Sequence, residues 1–324
     1  MYEIFRLMIL LLLFIRSYDN IDNMIKYLTL FLLLISIESA TSQVLPSHSD
    51  LRILIVSDEV NPHNLADEDL TQPGDISAAL LNTNVLNTSV VLEINTDNLE
   101  QATTELLRES TDSLFFDVFI YFAHRNPSNG NDAQTRQENF VTAVESYLNN
   151  GGGVISFHHG IYRGTGKQSI QNLLGSQATG AVPWDTVNGQ DVIFVGGNHF
   201  IGNHNISYTD QIAYENPVHN IPASNYPAFN NTPDERYPQN EFIASVNDEC
   251  DIKVLYESDY ANNGNQHLLS YTKYCSNWQS QIFAYQPGEY QPNAFSGNNF
   301  QILLNAIYYL SEYRWDVIFK SGFD

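Results

Sequence analysis

From residue 51 the apolar positions alternate between short continuous runs and stretches with helical spacing. Leu51 to Val56 (LRILIV) is a β-branched run of the kind that buries both faces of a parallel strand. The turn signal Pro73-Gly74-Asp75 then precedes an apolar helical patch at Ile76 to Leu81. Ser89 to Ile94 predicts a second strand, Leu99 to Leu107 a helix, and Phe115 to Ala123 a third strand that is apolar nearly throughout. Thr135 to Leu148 carries Phe140, Val141, Val144 and Leu148 at helical spacing and stops at Asn149-Asn150-Gly151-Gly152-Gly153. Val154 to Phe157 (VISF) follows at once as strand four, so the pattern predicts a parallel, doubly wound α/β sheet.

Beyond residue 160 the chain reads as loop-rich, with turn clusters at Pro183-Trp184, Asn188-Gly189 and Gly196-Gly197-Asn198 and a Pro, Asn and Tyr stretch from 216 to 240. Ile252 to Tyr256, Leu268 to Tyr271 and Ile282 to Tyr285 predict strands of a mixed or antiparallel extension, and Phe300 to Leu310 an amphipathic closing helix. With no linker or repeat, residues 43–324 are expected to form one domain.

Ahead of it, Leu7 to Ile15 and Tyr27 to Ile37 are apolar but each too short to span a hydrocarbon core. Met24 and Lys26, the run to Ile37 and Ala40-Thr41-Ser42 have the order of a signal peptide with Met24 as true initiator, cleaved before Gln43. The alternative, an uncleaved anchor made of both runs, is interrupted by Arg16, Asp19, Asp22 and Lys26. A secreted or periplasmic location is therefore expected, with membrane contact only through the export signal. In that setting Cys250 and Cys275, the two cysteines of the chain, are expected to form a disulfide.

Charge narrows the partners. Thirty-seven Asp and Glu against 14 Lys and Arg give a formal charge of -23, which repels nucleic-acid phosphates and anionic lipid. A composition of 43% hydrophobic and 12% aromatic residues excludes a disordered chain.

The sharpest chemical signal is Ser156-Phe157-His158-His159-Gly160 at the end of strand four, where a doubly wound sheet binds ligands. His158 takes the central place of that elbow and can act as acid, base or metal ligand. His124 after strand three and His63 after strand one fall on the same edge. His159 is a further ligand-binding candidate. Glu235, within Asp234-Glu235-Arg236-Tyr237, can serve as partner carboxylate, with pairing to Arg236 as the plainer alternative. Rings such as Trp184 and Tyr237 can stack on sugar faces. His199 and His204 are candidate ligands for a divalent metal, although H-x4-H has no established ligand geometry.

Residues 51–310 resemble the ThuA-like (trehalose utilisation) family, whose sheet is related to the class I glutamine amidotransferase-like, flavodoxin-like fold. Asn150 to His158 (NGGGVISFH) is similar to the family's Gly-rich strand entry with its His, and Leu173-Leu174-Gly175 to the helix end after it. Asn216-Pro217-Val218, Ile221-Pro222 and Asp234-Glu235-Arg236-Tyr237 resemble its paired-Pro and D-E-x-Y segment, and Ile282 to Tyr285 its late strand. The chain departs at Ser280-Gln281, where the family has Gly-Arg, and at Gly288-Glu289, where it has Gly-His, so Glu289 stands at a ligand-binding position. The family's His-Pro is Asn216-Pro217 here, with His219 two residues on. An amidotransferase would need a nucleophilic Cys at the elbow, and the chain has His158 there.

The resemblance implies a carbohydrate or carbohydrate-derived ligand. The expected chemistry is acid and base work by His158 and Glu235 with His124 or His63 orienting the ligand. The alternatives are a non-catalytic glycan-binding module and a His/Glu metallohydrolase.

Overall fold

The LRILIV run forms strand β1 (Leu51–Ser57), and both its faces are covered. Ile53 and Ile55 join one apolar cluster and Leu54 and Val56 another, as expected for a strand between two helical layers. The structure, a computed structural model, describes residues 50–58, 75–83, 85–110, 113–127, 130, 132–177, 190–232, 241–242, 250–262, 265–287 and 295–315. The predicted leader and residues 316–324 lie outside the described residues.

Four parallel strands follow the predicted order. They are β1, β2 (Thr88–Asn95), β3 (Val118–Phe122) and β4 (Gly153–Phe157), joined by helices α1 (Asp75–Asn82), α2 (Leu99–Leu106) and α3 (Ala133–Asn149). β3 is shorter than its apolar run suggests. Ser113–Leu114 instead pair with Glu109–Ser110, and the Asp117 carboxylate accepts the Arg52 amide at 2.9 Å. Helix α4 (Gln168–Leu174) ends at Gly175, whose φ of 102° closes the helix in the left-handed conformation.

The later strands are β5 (Gln190–Phe194), β6 (Asp210–Asn216), β7 (Ile221–Thr232), β8 (Cys250–Asn262), β9 (Asn265–Cys275) and β10 (Ile282–Tyr285). Helix α5 (Phe200–Asn203) is a single turn, and α6 (Phe295–Trp315) closes the unit. The main sheet runs β2-β1-β3-β4-β10-β9-β8-β5-β7-β6. Its first five strands pair in parallel and the remainder antiparallel. The start, β2-β1-β3-β4, is the order of flavodoxin-like doubly wound sheets.

Helices α1 and α6 pack on one face, where Ile76, Leu80, Ile302 and Ile307 meet Ile53, Ile120 and Ile155. Helices α2, α3 and α4 cover the other, where Leu99, Phe140, Val144 and Leu174 meet Leu54, Phe119 and Val154. The chain thus leaves β1 and β3 toward opposite faces, the switch point at which doubly wound sheets have their ligand crevice, between the strands' carboxyl ends.

Three strands, β5, β6 and β7, lie where the sequence reads as loop. Pro222 sits in the irregularity between Ile221 and Ser224, and β5 pairs with β7 only from Ala228 onward. The first half of β7 therefore has one open side, where a missing amide hydrogen is tolerated. β6 lies three places from β8, yet Tyr214 and Asn216 of β6 reach Glu257 of β8, so the β6–β7 hairpin folds over the sheet.

Cys250 and Cys275 stand opposite one another in the β8–β9 ladder and are bridged across 25 residues of chain. Thiol titration of the unfolded, unreduced protein should find none, and replacing both cysteines by serine should lower stability by about 3 kcal/mol through the freed loop. Two titrating thiols, or an unchanged denaturant midpoint, would contradict the bridge.

Candidate functional site

The crevice between β1 and β3 is the place to build from. β1 ends into Asp58, β3 into Ala123-His124-Arg125, β4 into His158-His159, and β10 into Gln286. Asp58 is buried, and its two carboxylate oxygens accept the main-chain amides of His124 and Arg125, each at 3.0 Å. The end of β3 is thereby tied to the end of β1. Burial raises the Asp58 pKa, opposed by those two amides and by the charge of Lys167.

After β4 the chain turns through a short 3-10 segment, His158–Ile161. His158 has φ 43°, a left-handed conformation that costs a non-glycine residue about 1–2 kcal/mol. Its side chain does not stand in the open crevice. It is fully buried, with Nδ1 2.6 Å from the Gln286 carbonyl, and since a carbonyl only accepts, Nδ1 carries the hydrogen. Two glycines let the loop close over this edge. A Cβ on Gly160 would lie 2.4 Å from Ser156 Oγ, and one on Gly164 1.9 Å from the His124 carbonyl oxygen.

Three imidazoles meet here. The His158 and His159 ring centres are 4.3 Å apart, and His159 meets the His124 ring edge-on at 5.2 Å while stacking on Phe122 at 5.5 Å. His124 in turn stacks on Tyr162 at 4.8 Å, the planes within 8°. His158 and His159 are buried, whereas His124 and Tyr162 are half-buried, so the line of rings runs from the interior to the rim. Arg125 and Arg163 are exposed beside that rim pair.

Lys167 lies beneath it, fully buried. Its Nζ donates to the carbonyls of Ala123 at 2.7 Å and of His159, joining the end of β3 to the turn after β4. Burial lowers its pKa well below the ordinary lysine value, and the nearby Asp58 charge works the other way. Sequence reading misses this residue because a lysine between Gly166 and Gln168 looks solvated. Asp58 had a legible signal, its place one residue past the β1 run at a carboxyl strand end.

The other candidates fall elsewhere. His199 precedes α5, its Nδ1 accepting the Ile201 amide at 3.4 Å and its ring against Tyr309 of α6. His204 stacks on Phe200 at 4.8 Å. Among the described residues no group of three or more His, Cys, Asp or Glu side chains is arranged to hold a metal ion, so His199 and His204 do not join His158 in one centre. His63, Trp184, Glu235, Tyr237 and Glu289 lie outside the described residues.

The chain matches no protein-family model and no curated protein. Solved structures similar to it include a ThuA-like protein from Bacteroides uniformis ATCC 8492, with 16% identity and TM-score 0.48 over 83% of this chain and 94% of that one. A ThuA-like protein from Parabacteroides merdae ATCC 43184 has 13% identity and TM-score 0.43 over 81% and 90% of the two chains. A cytoplasmic protein from Salmonella typhimurium has 13% identity and TM-score 0.41 over 80% and 98%. Among the described residues of this chain no helix is long and apolar enough to cross a membrane.

His199 generates a pH prediction. Burial, with a smaller contribution from Lys253, moves its pKa from 6.5 down to about 4. The unfolded chain therefore binds a proton before the folded one does, so this group's contribution to stability is present above pH 6.5 and lost as pH falls to about 4. The loss amounts to about 3 kcal/mol. His199→Asn keeps a helix-capping acceptor without titrating, and urea midpoints of that variant should fall less between those pH values than wild type. Parallel curves would contradict the assignment.

Proposed function

We propose that the protein is an exported, ThuA-like protein that binds a carbohydrate or carbohydrate-derived ligand in the β1–β3 crevice and exchanges protons with it through His124. The observation that carries this reading is the line of imidazoles at the switch point, with only its outer member at the rim. An imidazole titrates near neutrality and can both give and take a proton, which suits work on a sugar hydroxyl or carbonyl. The Tyr162 ring offers an apolar face for a sugar ring, and the exposed guanidinium groups of Arg125 and Arg163 are donors for its hydroxyl groups.

His158 and His159 stand behind His124. His158 anchors the turn through the Gln286 carbonyl, so its replacement by Ala should leave that carbonyl without its donor, at about 1–3 kcal/mol of stability. Glu235 remains the proposed carboxylate partner, on the strength of its motif alone. The leader and the disulfide support export.

A binding module without turnover is the second reading, favoured by the parallel His124–Tyr162 stack, which can serve as a platform for a sugar ring. A glycan array identifies the ligand, and mass analysis of the captured sugar separates turnover from simple binding. His124→Ala and Tyr162→Ala should each weaken binding at least about tenfold, roughly 1.4 kcal/mol, while unfolding changes by less than about 1 kcal/mol. Unaltered binding in both variants would remove the ligand from this crevice. Intact mass of the secreted protein should place its start near Gln43, and retention of residues 1–42 would refute export by cleavage.

A further inference from the structure

Another imidazole lies outside that crevice, on the turn of the folded-over hairpin. Glu257 of β8 has no exposed side-chain surface, yet its carboxylate is satisfied by three groups. Tyr214 donates its hydroxyl to Oε2 at 2.6 Å, Asn216 donates Nδ2 to the same oxygen at 3.0 Å, and His219 Nδ1 contacts Oε1. The orientation of the Asn216 amide is fixed independently, because its Oδ1 accepts the Val218 amide at 3.0 Å.

These contacts determine where the imidazole hydrogen resides. A carboxylate accepts only, so Nδ1 of His219 must donate to Glu257, and a protonated Nδ1 cannot also accept from the Asn216 Nδ2 that lies 3.1 Å away and donates one of its two hydrogens to Glu257. That leaves Nε2 with its lone pair, and among the described residues it has no hydrogen-bond partner. The ring is held edge-on against Phe242 at 5.4 Å, and its side chain keeps 12% of its surface exposed on the turn Pro217–His219. A buried carboxylate on Nδ1 and an open lone pair on Nε2 together form an oriented general base.

We propose that Glu257 and His219 form a second proton-accepting centre, directed at the hydroxyl of a small polar ligand or at water, and independent of the crevice histidines. Nε2 takes the hydroxyl proton, the oxygen keeps the bonding electron pair as it attacks an electrophile, and the Glu257 carboxylate accepts from Nδ1 of the resulting imidazolium. Tyr214 and Asn216 are positioning residues, which act by holding the carboxylate. The same pair has no metal role, since one imidazole and one already saturated carboxylate do not make a ligand set.

The test uses the full chain and p-nitrophenyl acetate as probe. Water loses its proton to Nε2 and attacks the acetyl carbon, the bond to p-nitrophenolate breaks, and acetate forms while the imidazolium returns its proton to solvent. Wild type should hydrolyse the ester at least about tenfold faster than the same concentration of free imidazole. His219→Ala should lose that excess and, with added imidazole, should exceed the sum of its own rate and the rate of imidazole alone, which a loss of folding cannot explain. Glu257→Gln should lower the rate about fivefold or more, and His204→Ala, which removes an imidazole outside both centres, should retain it. A wild-type rate no greater than free imidazole, a His219→Ala rate equal to wild type, or no rescue by imidazole overturns the proposal.

Discussion

Lys167 places a primary amine in the interior at the point where two strand ends and a loop must meet. Its Nζ donates to Ala123 and His159, and the Asp58 carboxylate holds the next two amides of the same segment. Without the amine, the Ala123 carbonyl loses that donor, at about 1–3 kcal/mol, while the His159 carbonyl keeps the Tyr162 amide at 3.0 Å. The position of every ring in the crevice follows from this junction. His124 is fixed because its amide is held by Asp58, and its carbonyl occupies space that a side chain at Gly164 would need, and His159 because its carbonyl is held by Lys167. Burial disfavours the charged form of both Lys167 and Asp58, and each lessens that effect on the other, so the pair is a coupled element of the edge.

The parallel half is legible in the sequence for a physical reason. Strands buried on both faces, such as Leu51–Ser57 and Gly153–Phe157, must be apolar throughout, and the helices between them carry their own period and stops. The hairpin β6–β7 is not legible. Its exposed face and its prolines give it the composition of a loop, and its strand character rests on the pairing of its two arms and of β7 with β5, none of which an apolar run announces.

The site divides in the same way. Strand ends can be read from the chain, and with them the approach of His124, His158 and His159 to one edge. Side-chain direction cannot: the elbow position predicts a His158 that faces the crevice, but its left-handed backbone turns the ring into the fold toward Gln286. Nor can long-range pairing, since the contact of His219 with Glu257 spans 38 positions and exists only because the hairpin folds over β8. A buried lysine is equally silent, because nothing in Gly166-Lys167-Gln168 distinguishes it from a solvated one.

Nitrogen-15 side-chain spectra of the histidines, recorded for wild type and Lys167→Met, address the junction directly. Methionine keeps the apolar stem and removes the donor, so the chain should still fold. Wild type should show His158 with its hydrogen on Nδ1, slow to exchange, and the His159 and His124 signals should shift in the variant while His199 stays unchanged. Identical His124 and His159 signals in a folded Lys167→Met protein would contradict the claim that the buried amine sets the crevice.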